Sequence, residues 1–368
     1  MTIKQIYALA LKMGLAADPR GPQGVKRYLN SIKKHYESLS AEDKKYFDEN
    51  KLTDPYADSD IHLSPGGESE IKTVMAGIDM GVGEILLGAE LQERGTRIDL
   101  LLGHHPIGKT YAELSEVMDL QVDVFASYGV PVHVAENLMH ERMSEVSRGV
   151  KVLNHYREID AARLLGLNLM NVHTPTDNLV KKFVKDFLKK KNPETVGEMF
   201  KALLEIPEYA EAKRRGAGPY LISGRSQNRV GKFMIDMTGG TSPADKIYQE
   251  ISKAGVSTIV GMHMNEKGFA EAKGAFLNII IAGHIASDSL GLNLFLDELE
   301  NKGIKIIPCS GLIRVSRIKK WYESTNKIYK STNIRKFVQK ICKFESYNIW
   351  LPTWKGKLSA KTKTRWLF

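Results

Sequence analysis

Leu101-Leu102-Gly103-His104-His105-Pro106-Ile107-Gly108 is the stretch that decides the fold, because an apolar run ends there in two adjacent histidines and a proline. The run from Ile98 to Leu102 is short and bounded by glycine and proline, a pattern typical of a buried parallel strand. Open α/β sheets bind ligands in the crevice outside the carboxyl ends of their strands. We therefore expect His104 and His105 in that crevice, where the flanking glycine and proline allow the turn that directs both side chains to one site. The alternative is a loop with two solvated histidines.

Strands and helices alternate along most of the chain. Predicted strands include Thr73 to Ile78, Val130 to Val134, Leu167 to Val172 and Ile304 to Pro308, and predicted helices include Ser287 to Asn301. The alternation predicts an α/β protein with two lobes of mainly parallel βαβ units, an N-terminal helical arm and a basic C-terminal tail. The predicted segments are 1–66 for the arm, 67–192 for the first lobe, 193–218 for a helical spacer, 219–315 for the second lobe and 316–368 for the tail.

The overall composition is that of an ordinary globular protein. The chain has 368 residues, of which 42% are hydrophobic and 26% charged, values close to the average for such proteins. The apolar runs are far shorter than a membrane span, and the N-terminus lacks the pattern of a secretory signal. Two cysteines give no disulfide framework, which favours a reducing cytoplasm.

Residues 316–368 differ in composition from the rest. They hold fourteen lysines and arginines against two glutamates, and they contain all four tryptophans of the chain. The remaining residues are close to neutral, so the net charge of +10 resides in this tail. Basic residues interleaved with aromatic ones could bind a nucleic acid through its phosphates and bases. The alternatives are a poorly ordered appendage and a tail of unusual origin, such as a shifted reading frame.

Two further stretches place similar side chains where a predicted strand ends. They are Val172-His173-Thr174-Pro175-Thr176-Asp177-Asn178 and Gly283-His284-Ile285-Ala286-Ser287-Asp288. Together with the two adjacent histidines they offer the imidazoles and carboxylates suited to Zn, Fe, Mn, Co or Ni. Three such clusters at one sheet edge could supply about five ligands, enough for two divalent ions about 3.5–4 Å apart. Each motif alone also has an ordinary explanation, because Asp177 and Asp288 are suited to stabilise a first helical turn and strand-end histidines often make only structural hydrogen bonds.

Other polar residues are predicted near the same edge. Asp79, Glu136 and His173 could orient the ligand imidazoles or transfer protons, although strand-end acids also commonly bond to the backbone of the next turn. His263 could reach the same cavity or pack in the core. Met237-Thr238-Gly239-Gly240-Thr241-Ser242-Pro243 could present amides to a phosphate or form an ordinary tight turn.

In its three His/Asp motifs the chain resembles the Nif-three-like family of dinuclear-metal proteins, whose members are often named GTP cyclohydrolase I type 2 homologues. The resemblance covers roughly residues 1–315 and implies that His104, His105, Asp177 and His284 are metal ligands. The last ligand of the third motif is commonly Glu in the family, and the matching residue here is Asp288, one methylene shorter. The resemblance also implies a two-lobed α/β fold and a ring-like homo-oligomer, commonly a hexamer, whose metal sites face an internal cavity.

Two functions are consistent with such a centre. With two divalent ions, the protein could be a hydrolase of a nucleotide-like or phosphorylated small molecule. Alternatively, it could be a non-catalytic metal-binding ring assembly that acts as a metal store, an insertion factor or a regulatory scaffold.

Overall fold

The computed structural model describes residues 1–318. The predicted basic tail, apart from its first three residues, lies outside the described residues. The helices are α1 Ile3–Ala17, α2 Gly21–Ser38, α3 Val82–Glu93, α4 Gly108–Ala112, α5 Leu114–Val117, α6 Leu120–Ser127, α7 Val132–Val150, α8 Arg157–Leu164, α9 Thr174–Lys191, α10 Val196–Leu203, α11 Pro207–Arg214, α12 Ile247–Lys253, α13 Glu266–Gly274 and α14 His284–Asn301, with 3₁₀ turns at Asp43–Tyr46 and Glu49–Leu52. The strands are β1 Asp60–Leu63, β2 Thr73–Gly77, β3 Leu100–Gly103, β4 Leu169–Asn171, β5 Tyr220–Ser223, β6 Lys232–Asp236, β7 Val256–Gly261, β8 Asn278–Ile281 and β9 Lys305–Pro308.

The strands form two mainly parallel sheets. The first is five-stranded in the order β1-β4-β3-β2-β9, and the second is four-stranded in the order β5-β8-β7-β6. In each sheet one edge strand, β1 or β5, runs antiparallel to its neighbour, and the other pairs are parallel. The predicted α/β class with two lobes is confirmed.

Helices cover both faces of each sheet. In the first sheet Val74 and Leu102 pack against α1 and α14, whereas their neighbours Met75 and Leu101 pack against α3 and α8. The second sheet is built in the same way, with apolar side chains buried on both of its faces. Successive side chains of a strand point to opposite faces. Burial on both sides therefore accounts for the continuous apolar runs from which the strands were predicted.

The segments of the chain that form each lobe differ from the predicted ones. The last strand, β9, pairs with β2 of the first sheet, so the predicted second lobe, 219–315, contains a strand of the first. The predicted N-terminal arm, 1–66, contributes β1 to that same sheet, and α1 packs along α9. Within the predicted spacer, 193–218, the structure has α10 and α11, which belong to the core of the second sheet. A short apolar run predicts a strand without specifying the sheet it joins.

The predicted strand Val130 to Val134 is wrong, because the chain turns into α7 at Val132. Valines favour strands, but this preference is weak compared with packing. The buried side chains of α7 are Ala135, Met139, Val146 and Val150, which recur at the spacing of one helix face. This longer pattern determines the structure of the segment.

Helices α9 and α14 link the two lobes and pack closely near the start of α9. A Cβ atom added at Gly291 of α14 would lie 2.3 Å from the carbonyl oxygen of Thr176. On the side of α1, a Cβ added at Gly14 would lie 2.6 Å from Cα of Pro175. The first turn of α9 is therefore held between two glycines, and no larger residue fits at either position without a shift of the helices.

No helix among residues 1–318 combines the length and the apolar character that crossing a bilayer would require.

We predict that Gly291→Ala destabilises the protein, because the new methyl group would overlap the backbone of α9. Overpacking of this kind costs about 1–3 kcal/mol. Gly149→Ala is the matched control, since Gly149 is also helical and its added methyl group would meet no atom within 4 Å. The control should be stabilised by about 0.5–1 kcal/mol. Chemical denaturation of both variants measures this difference, and equal stabilities would contradict the close contact.

Candidate metal centre

The backbone turns at the end of β3, and this turn brings two adjacent histidines to one site. The amides of His104 and His105 both donate to the carbonyl of Ile78, at 3.0 and 2.9 Å. The two imidazole rings lie on the same side of the chain, with centroids 5.2 Å apart. The turn predicted from the flanking glycine and proline is therefore present.

His104 is fully buried and presents one nitrogen to two carboxylates. Its Nδ1 lies 3.2 Å from the carbonyl oxygen of Val172 and 3.0 Å from Oγ1 of Thr176. A carbonyl only accepts hydrogen bonds, so Nδ1 carries the proton and Nε2 presents its lone pair. Nε2 lies 3.5 Å from Oδ1 of Asp177 and 3.6 Å from Oδ1 of Asp288.

His105 is oriented in a similar way by a carboxylate. Its Nδ1 lies 2.7 Å from Oδ1 of Asp79, and its Nε2 lies 3.3 Å from Oδ2 of Asp288. A carboxylate on the far nitrogen of a histidine is the usual arrangement around a metal-binding imidazole. The structure thus places Asp79 where an orienting residue was predicted.

Helix α14 supplies the third motif from one face. It begins at His284 instead of at the predicted Ser287, so His284 and Asp288 stand four residues apart within the helix. Nε2 of His284 lies 3.5 Å from Oδ2 of Asp288. Residues at this spacing are neighbours on a helix surface.

The carboxylates of Asp177 and Asp288 are buried without the partners that such groups require. Asp288 is 1% exposed and Asp177 is 3% exposed. Among the described residues, both oxygens of Asp288, Oδ1 of Asp177 and Nε2 of His104 lack a hydrogen-bond partner. Unpartnered polar atoms of this kind are rare in folded proteins and call for an explanation such as a bound ion. Asp177 lies in the first turn of α9, as the alternative of first-turn stabilisation requires, whereas Asp288 lies beyond the first turn of α14.

The separations between these atoms fit metal coordination better than hydrogen bonding. Metal–nitrogen and metal–oxygen bonds of about 2.0–2.2 Å place tetrahedral ligands roughly 3.3–3.6 Å apart. We call His104, His105, Asp177, His284 and Asp288 the cluster. The nitrogen–oxygen distances within it are 3.3, 3.5, 3.5 and 3.6 Å. Two ligand groups result, His104/Asp177/Asp288 and His105/His284/Asp288. The groups share Asp288, and His and carboxylate donors suit the predicted ions from Mn to Zn.

Burial and mutual contact shift the pKa values within the cluster in opposite directions. Burial lowers the pKa of His104 to about 4. Burial also opposes the charge on His105, but contacts with Asp288 and Asp79 outweigh it and raise the pKa of His105 to about 10. Burial raises the pKa of Asp177 to about 8, whereas the neighbouring imidazoles outweigh burial at Asp288 and hold its pKa below the usual range. Protons therefore occupy His105 and Asp177 at neutral pH when no metal is bound.

Sequence reasoning missed Asp58, which lies beside the cluster. Asp58 is fully buried just before β1, and its Oδ2 lies 2.8 Å from Nδ1 of His173. Thr174 donates to the same oxygen at 2.7 Å. Since the segment carrying Asp58 reads locally as part of a helical arm, only the pairing of β1 with β4 reveals its position.

Of the remaining predicted residues, Glu136 lies away from a strand end, whereas His263 and the stretch 237–243 lie near residues of the cluster. Glu136 lies on the exposed face of α7, not at a strand end. His263 packs edge-on against His284, with ring centroids 4.8 Å apart, and its Nδ1 lies 3.0 Å from Oγ of Ser242. The glycine-containing stretch 237–243 lines a small cavity together with Asp177.

The fold is similar to that of solved proteins. Over 85% of this chain and 99% of that chain, the NIF3 superfamily protein from Sphaerobacter thermophilus aligns with a TM-score of 0.65 and 23% identity. The chain has a NIF3 fold. HcgD from Methanocaldococcus jannaschii, in its reduced form, aligns over 76% of this chain and 97% of its own, with 14% identity and a TM-score of 0.42. The Bacillus cereus protein related to NIF3 aligns over 87% and 98%, with 11% identity and a TM-score of 0.38.

The predicted resemblance to the Nif-three-like family is therefore confirmed at the level of the fold. No family model matches the sequence, and no curated protein matches it. In this structure the three predicted motifs lie beside one another, because residues from the end of β3 and from the starts of α9 and α14 meet there.

We predict that metal affinity rises with pH between pH 6 and pH 8. Ligands bind metal in their deprotonated form, so the protons held on His105 and Asp177 must leave. Each displaced proton raises the apparent affinity up to about tenfold per pH unit. Calorimetric titration with Zn²⁺ at pH 6, 7 and 8, in buffers of different ionisation enthalpy, measures both the affinity and the protons released. An affinity that does not change over this interval would contradict the protonation states described above.

Proposed function

We propose that the protein binds two divalent metal ions in the cluster. One ion is held by His104, Asp177 and Asp288, and the other by His105, His284 and Asp288. The observation that carries the proposal is the set of nitrogen–oxygen separations of 3.3–3.6 Å around buried carboxylate oxygens that lack hydrogen-bond partners. Zn, Fe, Mn, Co and Ni all accept these donors.

We further propose that the centre is that of a metal-dependent hydrolase. Bound divalent ions would supply Lewis acidity and lower the pKa of a water molecule in the site toward neutrality. The protein itself contributes orientation, since Asp79 fixes the ring of His105 and the Val172 carbonyl fixes that of His104.

The substrate class proposed is a nucleotide-like or phosphorylated small molecule. The cluster is buried on the side of His104 but open on the side of α14, where the side chain of His284 is 42% exposed and that of His105 is 22% exposed. A small molecule could therefore approach the second ligand group, while the first stays enclosed. Proteins of the family that the chain resembles are often named GTP cyclohydrolase homologues, and GTP is one member of this substrate class.

We predict that hydrolysis by the purified protein requires divalent metal and is lost in His105→Ala and Asp177→Ala. Each substitution removes a ligand from one of the two groups. His140→Ala is the matched control because this exposed residue of α7 lies outside every ligand group. The measurement is turnover of a panel of nucleotides and phosphate esters by metal-loaded and metal-free protein. Absence of turnover across the panel by the metal-loaded protein would contradict the hydrolase.

The second candidate is a non-catalytic metal-binding ring assembly, serving as a metal store, an insertion factor or a regulatory scaffold. It is favoured by the origin of the ligands, which come from the end of β3 and from the two helices, α9 and α14, that link the lobes. Ions at this position would fasten the lobes together. A ring-like homo-oligomer, a hexamer by resemblance, in the cytoplasm completes this proposal.

We predict that a chelator lowers the melting temperature of the purified protein, because an ion that binds only the folded state stabilises it. For a scaffold, the chelator should also reduce the native mass. The measurement is scanning calorimetry with multi-angle light scattering, before and after chelation and after metal is restored. A lower melting temperature with unchanged native mass, together with turnover in the substrate panel, would favour the hydrolase over the scaffold. An unchanged melting temperature would contradict metal binding itself.

A further inference from the structure

His173 lies beside the proposed metal centre and is not part of either ligand group assigned above. It immediately precedes α9, where its backbone amide donates to Oγ of Ser59 at 2.9 Å. The residue is only 6% exposed, so its ring is fixed by the surrounding packing. The ring centroid lies 4.9 Å from that of His104 and 5.8 Å from that of His105.

Asp58 determines which nitrogen of His173 carries the proton. Its carboxylate contacts Nδ1 at 2.8 Å and is itself fully buried. Thr174 donates to the same carboxylate oxygen, and Ser59 donates to the other at 3.4 Å. Because an ionised carboxylate only accepts hydrogen bonds, Nδ1 donates. Nε2, on the opposite side of the ring, is therefore the nitrogen that a metal ion can bind once it has lost any proton.

Nε2 of His173 faces other possible ligand atoms of the proposed centre. Nε2 lies 3.8 Å from Oδ2 of Asp177. One nitrogen each from His104, His105 and His173 form a third group, in which the atoms lie within 4.8 Å of one another. Metal binding requires these groups in their deprotonated form, and lone pairs grouped in this way repel one another unless a cation lies among them.

The arrangement also repeats one found within the proposed centre. His105 has a carboxylate, Asp79, on Nδ1 and directs Nε2 toward the cluster, and His173 has Asp58 in the same relation. A carboxylate behind an imidazole raises its basicity and fixes its orientation toward a metal. The carboxylate behind His173 is the more enclosed of the two, since the side chain of Asp79 is 63% exposed and that of Asp58 is 0% exposed.

We propose that His173 is a further metal ligand, which binds through Nε2 the ion held by His104 and Asp177, with Asp58 as its positioning residue. This inference rests on the proposed metal centre and adds a ligand to it. The separation of 3.8 Å from Asp177 exceeds a tetrahedral ligand–ligand distance of roughly 3.3–3.6 Å by only a few tenths of an ångström.

The experiment is a titration with Co²⁺ followed by its visible absorption, comparing the wild type with His173→Ala, His104→Ala and His140→Ala. We expect His173→Ala to bind one of two Co²⁺ ions at least about tenfold more weakly, with a changed absorption spectrum. His104→Ala should show the loss expected for a ligand, and His140→Ala should match the wild type. If His173→Ala matches the wild type in affinity and spectrum while His104→Ala does not, the inference is overturned and the centre stands. If the wild type binds no Co²⁺, the centre and the inference both fail.

A second measurement covers the case in which His173→Ala fails to fold because Asp58 is left buried without its partner. A crystal structure of the zinc-loaded wild type gives the distance from zinc to Nε2 of His173 directly. A distance of about 2.0–2.2 Å supports the assignment. A distance beyond about 3 Å, with zinc bound by His104 and Asp177, overturns it.

Discussion

The candidate centre depends on how closely α9 and α14 approach each other. Asp177 is on one of these helices and Asp288 on the other, and both carboxylates contact the imidazole of His104. The approach requires a residue without a side chain at Gly291, because any Cβ there would overlap the carbonyl of Thr176, which precedes Asp177. A helix that is glycine-free at this point would keep the two carboxylates apart. The close packing of α9 and α14 therefore determines how near the carboxylates of Asp177 and Asp288 lie to each other.

The buried negative charge of Asp288 dominates the electrostatics of the candidate centre. An isolated ionised carboxylate is costly to bury, and the cost falls only when opposite charges or hydrogen-bond donors lie nearby. Asp288 is enclosed by the imidazoles of His104, His105 and His284 at 3.3–3.6 Å, and its oxygens make no hydrogen bond within the part of the chain that the structure describes. In the metal-free protein the proton on His105 supplies part of the missing positive charge. Divalent cations would supply more of it, because each carries twice the charge and binds several donors at once.

Sequence reasoning located the parts of the centre that are marked locally. Gly103 and Pro106 flank the two histidines and indicate a turn, and the structure has that turn. The start of α14 was predicted too late by three residues, because His284 and Ile285 carry no strong helix signal. The consequence is specific: His284 and Asp288 were expected in a loop and a helix, whereas one helix face presents both. Local sequence propensity predicts that a helix or strand is present more reliably than it predicts where that element begins and ends.

The parts that sequence reasoning missed are set by long-range pairing. Asp58 belongs to the site because β1 adds to the first sheet next to β4. Val132 to Val134 are helical because residues farther along α7, Met139, Val146 and Val150, continue the buried face of that helix. The strand β9 returns to the first sheet, so α14 must cross from the end of β8 in one lobe to the start of β9 in the other. A helix with that path begins at the carboxyl edge of the second sheet and packs on α9, which begins at the carboxyl edge of the first. The ligands of the two lobes meet for this topological reason. An ion bound between them would be held by residues of α9 and α14, the helices that connect the lobes.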